Sequence, residues 1–131
     1  MPYSDFKGWQ AYQLSYSLAE EVFNLSLHFP REEKYSLTDQ IRRASRAVPA
    51  NLAEGAAKRR YPKHFIAKLT DAAGENYETQ VWLSFARTHK YISEERFQKC
   101  HDQSESIARL INYMIRNPSK FGCKAHPQKE L

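Results

Sequence analysis

The stretch SLTDQIRRASRAVPANLAEGAAKRR, from Ser36 to Arg60, constrains this chain more than any other. It places a proline inside a helical pattern and a small residue at nearly every third position. Ser36 and Asp39 form a start signal of the Ser-x-x-acid type. The hydroxyl can accept from an early backbone N–H, and the acid suits the first turn. Ala44, Ala47, Ala50, Ala53 and Ala56 then recur in steps of three, so they drift slowly around one helix. Such a stripe lets a second helix come close. Pro49 removes one backbone donor and predicts a bend or weak point within the helix.

A polar line shares the stretch. Gln40, Arg43, Ala47, Asn51 and Glu54 are spaced by three or four and lie on one side. Amides and opposite charges so placed bond to a neighbouring helix or a second subunit. Beside the alanines they predict a packed polar seam. Arg43 with Glu54, or Arg43 with Glu78, is the expected charge pair.

Helical periodicity continues on both sides. From Trp9 to about His28, one line runs through Trp9, Tyr12, Tyr16, Ala19, Phe23 and Ser26, and an adjoining one through Leu18, Val22, Leu25 and Phe29. Pro30 ends this helix, because a residue before proline avoids the helical region. Gly55 and the run Lys58-Arg59-Arg60-Tyr61-Pro62 mark a turn, and Pro62 suits the first turn of a third helix reaching about Lys90. That helix is apolar on several sides, which predicts burial by more than one partner. Gly74 within it predicts a close helix approach. Ser93 caps a fourth helix, with Glu94 and Glu95 in its first turn and Asn117-Pro118 at its end. No segment alternates with the period of a strand. The expected fold is an all-α, antiparallel up-and-down four-helix bundle over residues 1 to 118, followed by a mobile tail over 119 to 131.

A length of 131 residues suits one domain with one core. No run of apolar residues is long enough to span a membrane, and the first residues lack a signal pattern, so a cytoplasmic location is expected. Cys100 and Cys123 form no disulfide framework and are expected as free thiols.

Motifs for chemistry are sparse. His28, His64, His89, His101 and His126 include no pair three or four apart, so no metal is expected. No nucleophile elbow, phosphate loop or dinucleotide fingerprint occurs, so neither catalysis nor a cofactor nor a small-molecule substrate is expected. Glu75 and Glu78 lie one turn apart, but acid–base work needs a cleft; a structural partner for Arg43 is the simpler role.

Charge is more telling. The chain carries a formal +5. Between Arg42 and Thr70, Glu54 is the only acid. Arg42, Arg46, Lys58, Arg59, Arg60 and Lys63 are the candidate contacts to a phosphate backbone, with Tyr61 and His64 interleaved as stacking groups. RNA or DNA is the expected partner. The alternative is a protein–protein scaffold whose charges serve solubility.

The central block also carries a resemblance. Phe29, Pro30, Glu33, Tyr35, Leu37, Gln40, Arg42, Arg43 and Ala44, then Pro49, Asn51, Ala53, Glu54 and Gly55, match the signature of the bacterial 23S ribosomal RNA intervening-sequence proteins. Ala72, Gly74 and Glu78 match a downstream segment, with Glu75 where serine is usual. The resemblance implies a four-helix bundle and an association with RNA. It sharpens an expected homo-oligomer to a pentameric ring, closed by contacts between two different surfaces of each subunit.

Overall fold

Proline and capping residues cut the chain into four helices, and the structure, a computed structural model, describes residues 5 to 123 of it. They are α1 (Gln10–Ser26), α2 (Leu37–Ala57), α3 (Pro62–Thr88) and α4 (Glu94–Arg116). Each packs on its sequence neighbour, and α4 returns to α1, so the four close an up-and-down antiparallel bundle. Short 3-10 turns at Phe6–Gly8, Arg31–Glu33 and Pro118–Phe121 lie outside the helices. No helix among the described residues is long and apolar enough to cross a membrane.

The core follows the 3.6-residue period. Val22 and Leu25 of α1, Ile41, Val48 and Leu52 of α2, Phe65, Leu69 and Leu83 of α3, and Ile107, Ile111 and Met114 of α4 are all buried. Both expected α1 lines contribute to the interior, since Trp9, Ala19 and Ser26 of the first are buried as well. The Leu18–Val22–Leu25 line enters the core, whereas Tyr16 is 53% exposed on the flank of the bundle. Between α3 and α4 the core contains a polar cluster. The buried Asn76 amide donates to the Ser104 carbonyl at 3.0 Å, and the Ser104 hydroxyl donates to Asn76 Oδ1 at 2.9 Å. Gln80 adds a 2.9 Å bond to the same hydroxyl. No buried side-chain polar atom of the described residues is left unpaired, so the cluster carries no desolvation penalty from an orphaned group.

The start of α2 differs from expectation. Ser36 makes no capping bond with its side chain. Its hydroxyl instead donates to Glu33 Oε1 at 2.7 Å, and the Leu37 N–H donates to the same oxygen at 3.3 Å. Glu33 Oε2 accepts from the Tyr91 hydroxyl at 2.8 Å. These bonds from Ser36 and Tyr91 hold the Glu33 carboxyl below its ordinary pKa. One carboxylate thus caps α2 and ties it to the α3–α4 loop. That loop reverses at Lys90, whose φ is 64°, with Tyr91 N–H bonded to Ala86 O and Lys90 N–H to Arg87 O. This is the Schellman ending, formed without the usual glycine. At α4 the expected cap is present: Ser93 Oγ accepts from Arg96 N–H at 3.1 Å.

Residues 119 to 123 are packed rather than set apart as a tail. Phe121 meets the Trp9 ring edge-on, with centroids 6.0 Å apart, and Cys123 is buried. The remainder of the expected tail lies outside the described residues. Cys100 is fully buried as well, and burial pushes its thiol up to about 11. Gly74 corrects a further expectation. It is exposed, and a Cβ there would meet nothing within 4 Å. The glycine that does serve a close approach is Gly55, where a Cβ would stand 3.4 Å from Lys68 Cβ.

Candidate nucleic-acid interface

Six basic side chains carry the expectation of phosphate contact, and the fold gives them four different settings. Arg42 is half-buried. Its Nε donates to Ser26 Oγ at 2.7 Å, and its guanidinium lies 4.6 Å from the Phe23 ring centroid. It fastens α2 to α1. Arg46 is exposed, 5.4 Å from the same ring, on the side of α2 that borders α1. Lys58, Arg60 and Lys63 form the third group, all exposed where α2 turns into α3. Arg46 and Lys58 are separated by about 18 Å along the helix at 1.5 Å per residue. The six do not make one compact patch.

Arg59 stands among the third group in sequence but is used by the fold. Its Nε donates to Ala56 O at 2.9 Å and its Nη1 to Phe121 O at 3.4 Å. The guanidinium lies 5.8 Å from the Trp9 ring. Gly122, with φ +89°, lets the chain pass: a Cβ there would stand 2.9 Å from Arg59 Nη1. Arg59 therefore holds the C-terminal turn against the end of α2.

Around the third group the surroundings are polar and accessible. Tyr61 is 54% exposed and meets His64 edge-on at 5.8 Å between ring centroids. Glu54, the one acid of the stretch, pairs with Lys68 of α3 at 2.6 Å. The hydrogen bond with Lys68, then its charge, lowers the Glu54 pKa, and the same bond raises that of Lys68. Lys58, Arg60 and Lys63 form no ion pair among the described residues, although Lys58 lies close enough to help lower the Glu54 pKa. The bundle also brings Lys7, Arg116 and Lys120 to this end, since Trp9 touches both Phe65 and Phe121. Lys120 Nζ is bonded to the Tyr113 hydroxyl at 2.8 Å. Only the up-and-down topology could have signalled these cations, because they lie far from the hairpin in sequence.

The expected seam is open in the single chain. Gln40, Arg43 and Glu54 are exposed, and Asn51 bonds only to its own helix, through Ala47 O at 2.9 Å. Arg43 pairs with neither Glu54 nor Glu78: Glu54 is held by Lys68, and Glu78 Oε2 accepts from Trp82 Nε1 at 3.2 Å. Arg43 and Glu78 do line one shallow groove of about 460 Å³, with Glu75 between them. Burial first, then Glu78 and Asp71, raises the Glu75 pKa. No group of three or more His, Cys, Asp or Glu among the described residues is placed to hold a metal ion.

Comparison with known proteins accords with this architecture. Among curated proteins none matches the chain. A crystal structure from Bacteroides thetaiotaomicron, described as a protein with unknown function from the S23 ribosomal protein family, is 27% identical. It aligns with a TM-score of 0.74 over 82% of this chain and 96% of its own. The model of the 23S rRNA-intervening sequence protein family matches residues 7–113. With most of the bundle inside that match, the chain belongs to the 23S rRNA-intervening sequence protein family.

Proposed function

We propose that this bundle is a non-catalytic nucleic-acid-binding protein that acts as a homo-oligomer, with the α2–α3 hairpin end as its contact surface. The observation that carries this is the state of Glu54. The only acid between Arg42 and Thr70 is neutralised by Lys68, while Lys58, Arg60 and Lys63 stay exposed beside Tyr61 and His64. Cations without counter-charges attract phosphates, and exposed rings add sequence-tolerant stacking. The name of the family, with its reference to 23S rRNA, favours RNA over DNA as the first ligand to try. Self-assembly is supported by half-exposed Tyr77, Val81 and Phe85 on α3, and a pentameric ring is the form that the family resemblance implies. A cytoplasmic setting accords with two free, buried thiols.

Titration of structured RNA and of single-stranded DNA across salt concentration tests the contact. Three phosphate contacts predict a slope of log K against log salt of about −2 for a single strand and nearer about −3 for a duplex. Replacing Lys58, Arg60 and Lys63 together by alanine lowers low-salt affinity by at least about tenfold and flattens the slope. No binding at low salt, or binding indifferent to salt, rules the proposal out.

A further inference from the structure

We infer that the cleft between the start of α2 and the last turns of α3 binds a small quaternary ammonium compound. The cleft encloses about 590 Å³, within the range of small-ligand sites. Glu33, Tyr35 and Gln40 line one side, and Trp82, Phe85 and His89 the other. Those last three stand three and four residues apart, so they share one face of α3. The Trp82 and Phe85 ring centroids are 5.9 Å apart, and Phe85 and His89 stack at 6.3 Å. The indole is held in place by its bond to Glu78 Oε2 at 3.2 Å. Aromatic faces attract cations, and tryptophan does so most strongly.

Charge calls for the same class of ligand. The three donors on Glu33 are neutral: the Ser36 and Tyr91 hydroxyls and the Leu37 N–H. They favour the ionised carboxyl without cancelling its charge, and Glu33 forms no ion pair among the described residues. Of the influences that lower its pKa, the Ser36 bond is the largest and the charge of His89 the smallest. No lysine or arginine of the described residues lines the cleft. Arg87 lies over Phe97 at 4.0 Å and pairs with Glu94, and Lys34 lies over Tyr35 at 5.3 Å. The α3 rings are left for a ligand. Hydrogen bonding narrows the choice. A carboxylate offers about four lone-pair positions, and Glu33 already accepts three bonds. A primary ammonium or a guanidinium finds few acceptors there, whereas a trimethylammonium group needs none. Glu33 and Glu78 repel a head group that carries its own phosphate, so the ligand is a free compound and not a lipid.

Calorimetric titration of the full chain with choline at constant ionic strength is the test. Choline binds saturably and changes Trp82 fluorescence; Trp9, the other tryptophan, is buried at the opposite end of the bundle. The uncharged tert-butyl isostere of choline, ethanolamine and phosphocholine each bind at least about fivefold more weakly. Trp82→Leu and Glu33→Gln each weaken choline binding by at least about fivefold, with unchanged far-UV circular dichroism. Tyr113→Leu, which removes an exposed ring on α4, changes nothing. Wild type without saturable binding overturns the site. Equal binding of the isostere shows an apolar groove alone, and equal binding of ethanolamine an acidic surface without preference for a methylated cation. Equal binding of phosphocholine points to a lipid head group. Each of these three results overturns the inference as well.

Discussion

At the end of the bundle where α2 begins, one carboxylate closes the structure; at the end where α2 stops, one guanidinium does so. Glu33 accepts from Ser36, Leu37 and Tyr91, and joins the α1–α2 loop to the α3–α4 loop. Arg59 donates to Ala56 and Phe121 and lies over Trp9, joining the hairpin to the C-terminal turn. The neighbours of these two groups differ. Around Glu33 both signs of charge are interspersed, in Arg31, Glu32 and Lys34. Around Arg59 the neighbours are Lys58 and Arg60, of one sign and exposed. One end intersperses charges of both signs, and the other leaves Lys58 and Arg60 exposed and outside any ion pair among the described residues.

The largest effect that would break this contrast comes from paired substitutions at adjacent positions. Arg59→Ala removes two charge-assisted hydrogen bonds and the cover over Trp9, and costs about 2 kcal/mol in urea unfolding. Arg60→Ala stays within about 0.5 kcal/mol of wild type but weakens RNA binding. Equal losses of stability from the two would erase the distinction. Next in size is Glu33→Ala, which removes the cap of α2 and the tie to Tyr91, at about 1 kcal/mol.

Its pH signature is specific. The folded-state pKa of Glu33 is lowered. Its stabilisation is full above the unfolded value of about 4.3 and is lost as pH falls through the folded one. Glu75, whose pKa is raised, has the opposite sign and regains stability on protonation. Acid unfolding of wild type below about pH 4 is therefore steeper than that of Glu33→Ala. The smallest effect is Glu54→Gln. An exposed pair adds little to stability, so the midpoint barely moves, whereas release of Lys68 strengthens low-salt RNA binding by less than about threefold.

The helices were legible because their ends are written locally. Pro30, Pro62, the Ser93 cap and Asn117-Pro118 act on their own turns, so no distant partner was needed to read them. The cap of α2 was misread because Ser36 carries the right group, while Glu33 reaches it from a preceding turn. Likewise Asn76 and Ser104 fall on core lines of their helices, yet only the packing of α3 on α4 makes them partners. Among the arginines, nothing local separates Arg59 from Arg60. Trp9 and Phe121 decide it, and both come from the far ends of the chain. The expected pair of Arg43 with Glu54 does not allow for Lys68, which comes from the next helix and takes Glu54.

The two cysteines have a consequence for time rather than for energy. Cys100 lies wholly inside α4's buried face, and Cys123 lies under the C-terminal turn that Arg59 holds. Burial keeps both thiols protonated and slow to react. A thiol reagent reaches Cys123 once that turn lifts, a local fluctuation, whereas Cys100 has to wait for the helices to separate. The chain thus carries two clocks of different period, one for the fraying of an end and one for the lifetime of the whole fold.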